Sequence, residues 1–135
     1  MDQTTTSSPS GLAAATIGQI AVNIHDLDRA VAFYRDALGM RLLFQVPPKM
    51  AFFDCGGVRL MLSLPEEPEY DHPGSILYFK VEDIQGTHQT LRDRGVELRS
   101  DPHLVARMPD HELWMAFFRD SEGNTLALMS EVRPG

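Results

Sequence analysis

The sequence predicts an α+β fold built from two tandem βαβββ modules, and an internal repeat carries the prediction. The tetrapeptide Met-Ala-Phe-Phe occurs at residues 50–53 and again at residues 115–118. Each copy is followed by a glycine turn and a strand-like segment with alternating leucines, at residues 56–62 and 122–128. A strand pattern and a capped helix precede both copies, so the two halves follow one order of elements.

Length, charge and cysteine content restrict the class of protein. The chain has 135 residues, of which 43% are hydrophobic, enough for one domain with a buried core. A formal net charge of −7 argues against a nucleic-acid or anionic membrane surface, since phosphate binding needs concentrated positive charge. Cys55 is the single cysteine, so an intrachain disulfide is impossible. A small molecule or a protein therefore remains as the expected partner, with no nucleic acid and no membrane.

The N-terminal segment is expected to be a disordered leader over residues 1–15. It contains Ser and Thr but no basic region, and the apolar stretch at 11–15 is too short for a signal core or a membrane span. We therefore expect a single domain over residues 16–135 and a cytoplasmic protein.

The first module is predicted to span about residues 16–64. It opens with a strand over residues 17–24, where alternate aliphatic side chains share one face. Asp26 is a suitable N-cap for a helix that ends at Gly39, where a left-handed residue is expected. Three short strands complete the module, near residues 41–46, 50–55 and 58–64.

The second module is predicted over about residues 75–132 and repeats the first. A proline-rich, acidic and solvated linker of residues 65–74 precedes it. After a strand over residues 75–81, Asp83 caps a helix that ends at Gly95. The remaining strands are expected near residues 96–105, 113–119 and 124–131, and prolines limit the first of these to an edge or a broken strand.

Three segments give the chain a resemblance to a known family. Residues 19–27 align without a gap with residues 76–84, and Phe-Tyr-Arg-Asp-Ala-Leu-Gly follows at residues 33–39. Together with Asp-Ser-Glu-Gly-Asn at residues 120–124, this resembles the vicinal oxygen chelate superfamily of glyoxalase, bleomycin-resistance and dioxygenase-like proteins. The resemblance covers about residues 17–132. It implies curled mixed sheets around a central cavity and a homodimer.

The resemblance also implies four positions where family enzymes hold a divalent metal. Carried over to this chain, the four positions are Gln19, Met61, Ile76 and Ala127. One amide and one soft thioether do not supply the oxygen or imidazole donors that such an ion needs. We therefore expect no metal at this site and no cofactor.

Strand parity predicts which side chains line the cavity. The wall combines methionine and aliphatic side chains with a few polar groups, which suits a small, partly apolar ligand. Three side chains, Gln19, Asn23 and Tyr78, are placed to orient that ligand. The alternative is a cavity filled by its own side chains. The full set of expected ligand contacts is Gln19, Asn23, Arg59, Met61, Ile76, Tyr78, Trp114, Ala127 and Met129.

An enzyme remains the alternative function, of the glyoxalase, epimerase or lyase kind with a relocated active site. His103 and His111 flank a predicted loop over residues 104–110, and Glu112 completes a polar cluster. Tyr78 is a further acid–base candidate. Solvent-exposed loop histidines explain the same pattern. The sequence leaves open whether any reaction is catalysed.

Overall fold

The computed structural model describes residues 11–134 and contains two curled mixed sheets with a helix packed on each. This confirms the predicted α+β fold of two repeated modules. Residues 1–10 of the expected leader lie outside the described residues. No helix within residues 11–134 has the length and apolar character needed to span a membrane.

The first sheet holds four strands in the order β1-β4-β3-β2, with β1 parallel to β4 and the other pairs antiparallel. Their bounds are β1 Gln19–Asn23, β2 Arg41–Val46, β3 Met50–Cys55 and β4 Val58–Ser63. The helix α1, Leu27–Ala32, begins where Asp26 Oδ1 accepts a hydrogen bond from Arg29 N at 3.1 Å. It packs on β3 and β4. The predicted N-cap is therefore confirmed.

The helix predicted up to Gly39 is α-helical only as far as Ala32. A π-helical segment, Phe33–Ala37, follows, and Leu38 N donates to Phe33 O at 3.0 Å. This wider turn changes the direction of the side chains that follow it, and Tyr34 becomes fully buried. Gly39 has φ 72° and ends the helical segment, because a residue with a Cβ is disfavoured in that conformation.

The second sheet has the order β5-β9-β8-β6, with β7 also paired to β8. Its strands are β5 Leu77–Lys80, β6 Glu97–Leu98, β7 His103–Arg107, β8 Glu112–Arg119 and β9 Thr125–Val132. The helix α2, Ile84–Asp93, is capped by Asp83 as predicted, and Gly86 N donates to Asp83 Oδ1 at 3.0 Å. It packs on β6, β8 and β9.

The edge or broken strand predicted near residues 96–105 is a broken one, and two short strands, β6 and β7, occupy that region. The break contains Pro102, which has no N–H to donate to a neighbouring strand. At the break, the side chain of Ser100 takes the place of a backbone acceptor, since Phe117 N of β8 donates to Ser100 Oγ at 2.9 Å. Both short strands still pair with β8, so the order of the module is kept.

One hydrophobic core joins the two modules, and the two sheets share no ladder of hydrogen bonds within residues 11–134. Tyr34 from the first module and Phe118 from the second belong to this core. Polar contacts also cross the junction: Asn124 Nδ2 donates to Asn23 O at 3.3 Å, and Arg94 Nη1 donates to Ala37 O at 3.2 Å. The junction between modules is therefore a packed and hydrogen-bonded region.

Candidate functional site

A groove of about 890 Å³ lies where the modules meet, and we call it the junction groove. It is bounded by residues 20–25, the segment 63–66 and 70–77, and the turn 122–126 before and into β9. The apolar lining residues are Ile20, Ala21, Val22, Leu64, Pro65, Pro73, Ile76, Leu77 and Leu126. Polar lining residues include Asn23, His25, Asp71, His72, Glu122 and Asn124. The groove thus has apolar walls with polar side chains grouped around β1 and the turn.

The linker forms one wall of the junction groove by folding back on β1. The Asn23 side-chain amide donates to Tyr70 O and, at 3.1 Å, to His72 O. A short 3₁₀ helix, Pro68–Tyr70, ends at the residue that supplies the first of these two carbonyls. The linker is solvent-exposed, as predicted, and its backbone is nevertheless held against the first strand of the first module.

His25 connects the linker to the turn before β9. Its Nε2 lies 2.9 Å from Asp71 Oδ1, and its Nδ1 lies 3.1 Å from Glu122 Oε1. These hydrogen bonds, first that with Asp71 and then that with Glu122, raise the pKa of His25 above its usual value. Both ring nitrogens donate only in the imidazolium form, so two carboxylate partners favour that form. The bridge closes one side of the junction groove.

A buried carboxylate organises the turn that carries Glu122. Asp120 Oδ1 accepts from the backbone N–H groups of Glu122 at 2.8 Å and Asn124 at 2.9 Å. Asp120 Oδ2 accepts from Tyr34 Oη at 2.7 Å and from the Asn124 side-chain amide at 2.9 Å. Burial, and then the charge of Asp120, raise the pKa of Tyr34, so the phenol stays protonated and donates. The first module therefore fixes the position of a turn in the second.

The residues at the expected metal positions do not fit a divalent ion. Gln19 Oε1, the one oxygen donor among them, already accepts a hydrogen bond from Arg59 Nε at 2.8 Å. Gln19 Nε2 lies 3.7 Å from Met61 Sδ, Ile76 is apolar, and Ala127 is fully buried. Within residues 11–134 no three His, Cys, Asp or Glu side chains are grouped to hold a metal ion.

The expected ligand contacts fall in separate places. Asn23 and Ile76 line the junction groove. Gln19, Arg59 and Met61 contact one another on the first sheet, where the Arg59 guanidinium lies 5.1 Å from the ring centroid of Phe52. The remaining residues are on the second sheet and do not line the groove: Tyr78, Trp114, Ala127 and Met129. Their ligand contacts stay predictions.

The structure separates the candidate catalytic residues into two groups. The segment predicted as a loop after His103 is the strand β7, which pairs His103 with Met115 at one end and Arg107 with Glu112 at the other. His103 and Tyr78 both lie beside Phe117, with ring-centroid distances of 6.4 and 6.1 Å.

His111 and Glu112 lie at the opposite end of this hairpin. His111 Nδ1 is 2.7 Å from Asp110 Oδ1, and Trp114 Nε1 donates to Glu112 Oε1 at 3.2 Å. Four residues of extended strand, roughly 13 Å, separate the two groups. A catalytic role for any of these side chains stays a prediction.

Sequence reasoning did not select three groove residues, His25, Asp71 and Glu122. They are far apart in the chain, and each type is common on protein surfaces. One signal was available for Glu122, because it lies in the Asp-Ser-Glu-Gly-Asn turn that carried the resemblance. For Asp71 the sequence carried no such signal, because its position depends on the linker folding back on the first strand.

Comparisons with known proteins agree with the geometry. The model of the Glyoxalase/Bleomycin resistance protein/Dioxygenase superfamily matches residues 16–128. Uncharacterized protein YraH of Bacillus subtilis (strain 168) is 28% identical over 126 residues, which cover 82% of this chain and 94% of that protein. A glyoxylase-like domain-containing protein of Didymella fabae is 29% identical over 134 residues, covering 88% and 94%.

The same fold occurs in a crystal structure of a superfamily member from Sphaerobacter thermophilus DSM 20745. The two structures superpose with a TM-score of 0.73 at 22% sequence identity, over 87% of this chain and 98% of the other. At this identity the likeness concerns the fold. Because the family model covers most of the chain, the protein belongs to the Glyoxalase/Bleomycin resistance protein/Dioxygenase superfamily.

Proposed function

We propose that this protein binds a small, partly apolar molecule in the junction groove, without the divalent metal of the family's enzymes. The observation that supports this proposal is the groove itself, which combines a volume of about 890 Å³ with aliphatic walls and a polar rim. Small-molecule sites are typically concave and mostly apolar, with a few polar groups that set orientation, and have volumes of roughly 300–1,000 Å³.

The charges around the junction groove favour a neutral or cationic ligand over an anion. Glu66, Asp71 and Glu122 line the groove, and His25 and His72 are the lining side chains able to carry a positive charge. The His25 ring is already shared between Asp71 and Glu122, and His72 Nδ1 lies 3.1 Å from Pro73 O. An anionic ligand would therefore meet three carboxylates and at most one imidazole that is not already paired with a carboxylate.

The donor set supports the proposed absence of the family's metal. The amide oxygen of Gln19 is engaged by Arg59, and no other carried-over position supplies a hard donor. Burying Ile76 or Leu77 against a ligand needs no metal, because apolar contact stabilises the complex by removing hydrocarbon from water. Recognition in this proposal depends on shape and apolar area.

The proposed oligomeric state is a homodimer that covers exposed apolar side chains. Leu43, Phe44 and Val46 are exposed on β2, which is an edge strand of the first sheet. Edge strands with exposed apolar side chains readily pair with another chain, and a two-fold dimer closes such edges. The cytoplasmic location and the lack of a nucleic-acid partner stay predictions.

Binding of N-phenyl-1-naphthylamine, a neutral aromatic probe that fluoresces in apolar surroundings, tests the proposed site. Saturable binding is expected in the native protein. Ile76→Asp is expected to weaken binding by about tenfold or more, since it places a charge against the probe. Ile76 is 39% exposed, so the substitution is compatible with folding.

Two further variants make the result specific to the junction groove. Val105→Asp is the matched control, because Val105 is another β-branched side chain, 47% exposed, outside the groove. Tyr78→Asp tests the face of the second sheet. Loss of binding in Ile76→Asp alone supports the proposal. Loss in Tyr78→Asp alone, or equal loss in all three variants, contradicts it.

A further inference from the structure

A second cleft, of about 730 Å³, lies on the helical side of the junction between modules. It is bounded by α1 and the π-helical segment, by the residues after α2, and by the turn at residues 120–123. Three arginines, Arg29, Arg94 and Arg119, line it, and we call it the arginine cleft. Gly123 is the one lining residue that it shares with the junction groove.

The carboxylates that line the arginine cleft already have partners. Asp36 holds Arg35, which is not a lining residue, through two hydrogen bonds of 2.8 and 3.0 Å. Asp120 accepts four hydrogen bonds within its turn and from Tyr34. Glu97 Oε2 lies 3.6 Å from Arg119 and 3.4 Å from a second arginine outside the cleft. Asp36 and Glu97 are therefore ion-paired, and Asp120 is hydrogen-bonded to neutral donors.

Two of the three arginines that line the cleft have no carboxylate partner among the described residues. In the part of the chain from residue 11 to residue 134, neither Arg29 nor Arg94 lies within 4.0 Å of a carboxylate oxygen. Arg94 Nη1 donates to Ala37 O at 3.2 Å, which anchors this side chain beside the π-helical segment. A guanidinium has five N–H donors, so most of the donors of both side chains remain available.

A serine hydroxyl in the same cleft lacks a hydrogen-bond partner. Ser121 Oγ is buried and makes no hydrogen bond to any other group of residues 11–134. Ser121 lines the cleft together with the two uncompensated arginines. A buried donor without a partner is uncommon in proteins, and because this hydroxyl is closed to solvent, rotation about the Cα–Cβ bond would be needed to bring it to an acceptor bound in the cleft.

We propose that the arginine cleft binds the phosphate group of a small molecule. Guanidinium groups bind phosphate oxygens in a bidentate manner, and a serine hydroxyl is a common additional donor. The chain's net charge of −7 repels anions in general, so local donors must supply any saturable binding. The junction groove, with its carboxylate rim, does not offer such a site.

Titration with inorganic phosphate, followed by two-dimensional ¹⁵N–¹H NMR at constant ionic strength maintained with sodium chloride, tests this proposal. Saturable shifts are expected at the amides of Gly95, Ser121 and Gly123. Arg29→Gln and Arg94→Gln are each expected to weaken binding by about tenfold, through loss of a charged donor.

The matched control is Arg41→Gln, since Arg41 is an exposed arginine that makes no ion pair with another residue of 11–134 and does not line the cleft. Unchanged binding in this control supports the proposal. Equal weakening in all three variants, shifts that never saturate, or shifts centred elsewhere overturn it. A parallel titration with malonate distinguishes phosphate from a dicarboxylate: tighter binding of malonate contradicts the assignment to phosphate.

Discussion

His25 shows how one residue joins distant parts of the chain at the junction groove. Its ring lies between Asp71 of the linker and Glu122 of the turn, and Asp26 N donates to the second oxygen of Glu122 at 3.0 Å. Linker and turn are therefore both tied to the start of α1. Because the ring is exposed to solvent, the bridge is open to titration and its strength depends on pH.

We predict that the His25 ring titrates above the usual value of about 6.5. A pKa that is raised in the folded state adds stability below about pH 6.5, and this contribution disappears as pH rises through the folded-state pKa. His25→Gln should therefore be less stable than the native protein at pH 6 and comparable to it at high pH, in urea unfolding.

The pKa itself is measured by NMR titration of the imidazole protons. Asp71→Asn should lower it more than Glu122→Gln, because the hydrogen bond with Asp71 is the larger cause of the shift. An imidazole pKa at or below 6.5 that neither substitution changes would contradict the bridge.

Among the elements, the π-helical segment is the one that couples the two modules most directly. It buries Tyr34 completely and places its phenol oxygen on the carboxylate of Asp120, which is itself buried. The turn before β9 is thereby held by a side chain from the first module. Packing of Tyr34 against Phe33 and Phe53, at ring-centroid distances of 5.6 and 6.0 Å, restricts the phenol further.

Tyr34→Phe is predicted to lower the free energy of unfolding by about 1.5–3 kcal/mol, since it removes a hydrogen bond to a buried charged group. Urea denaturation measures this difference. Tyr70→Phe is the matched control, because the Tyr70 side chain is exposed and its hydroxyl makes no hydrogen bond within the described residues. Equal effects of the two substitutions would show that the bond to Asp120 contributes little.

The sequence predicted elements better than it predicted their irregularities. Periodicity located β2 and β3 at their observed bounds, and Asp26 and Asp83 cap the two helices as expected. The π-helical segment was missed because the apolar residues from Leu27 to Leu38 keep the spacing of an ordinary α-helix, so the sequence pattern gives no sign of a wider turn. The broken strand near Pro102 was anticipated in part, since proline excludes one ladder hydrogen bond.

The candidate site was less predictable than the fold for a physical reason. Strand parity assigns a side chain to a face of its own sheet, whereas the junction groove lies between two sheets and a returning linker. Asn23 and Ile76 were both selected by strand parity, and Ile76 is also one of the four positions carried over from the family. The His25–Glu122 contact joins residues 97 positions apart, and no local pattern encodes it.

At the scale of the whole molecule, we propose that the protein keeps the family's fold without the metal of the family's enzymes. Removal of metal with EDTA is predicted to leave the thermal unfolding midpoint unchanged, because Gln19 is engaged by Arg59 and the other carried-over positions lack hard donors. Elemental analysis of protein purified without a metal-affinity column provides the second readout. Close to one divalent ion per chain, with a lower midpoint after EDTA, would refute this prediction.

The proposed homodimer is also a property of the whole molecule. Phe44→Lys on the edge strand β2 is predicted to shift the protein from dimer to monomer in sedimentation velocity, because it places a charge in an apolar contact. Val105→Lys, on a strand of the other sheet, is the control and should leave the dimer intact. A native protein that sediments as a monomer would contradict the proposal.

The proposed function requires that the junction groove binds a small, partly apolar molecule. The most direct measurement is a residue-by-residue map of ¹⁵N–¹H amide shifts during titration with N-phenyl-1-naphthylamine. We expect saturable shifts concentrated at residues 20–23, 25, 70–77 and 122–126, which line the groove. Saturable shifts centred instead on Gln19, Met61 and Tyr78, or no saturable shifts at all, would contradict it.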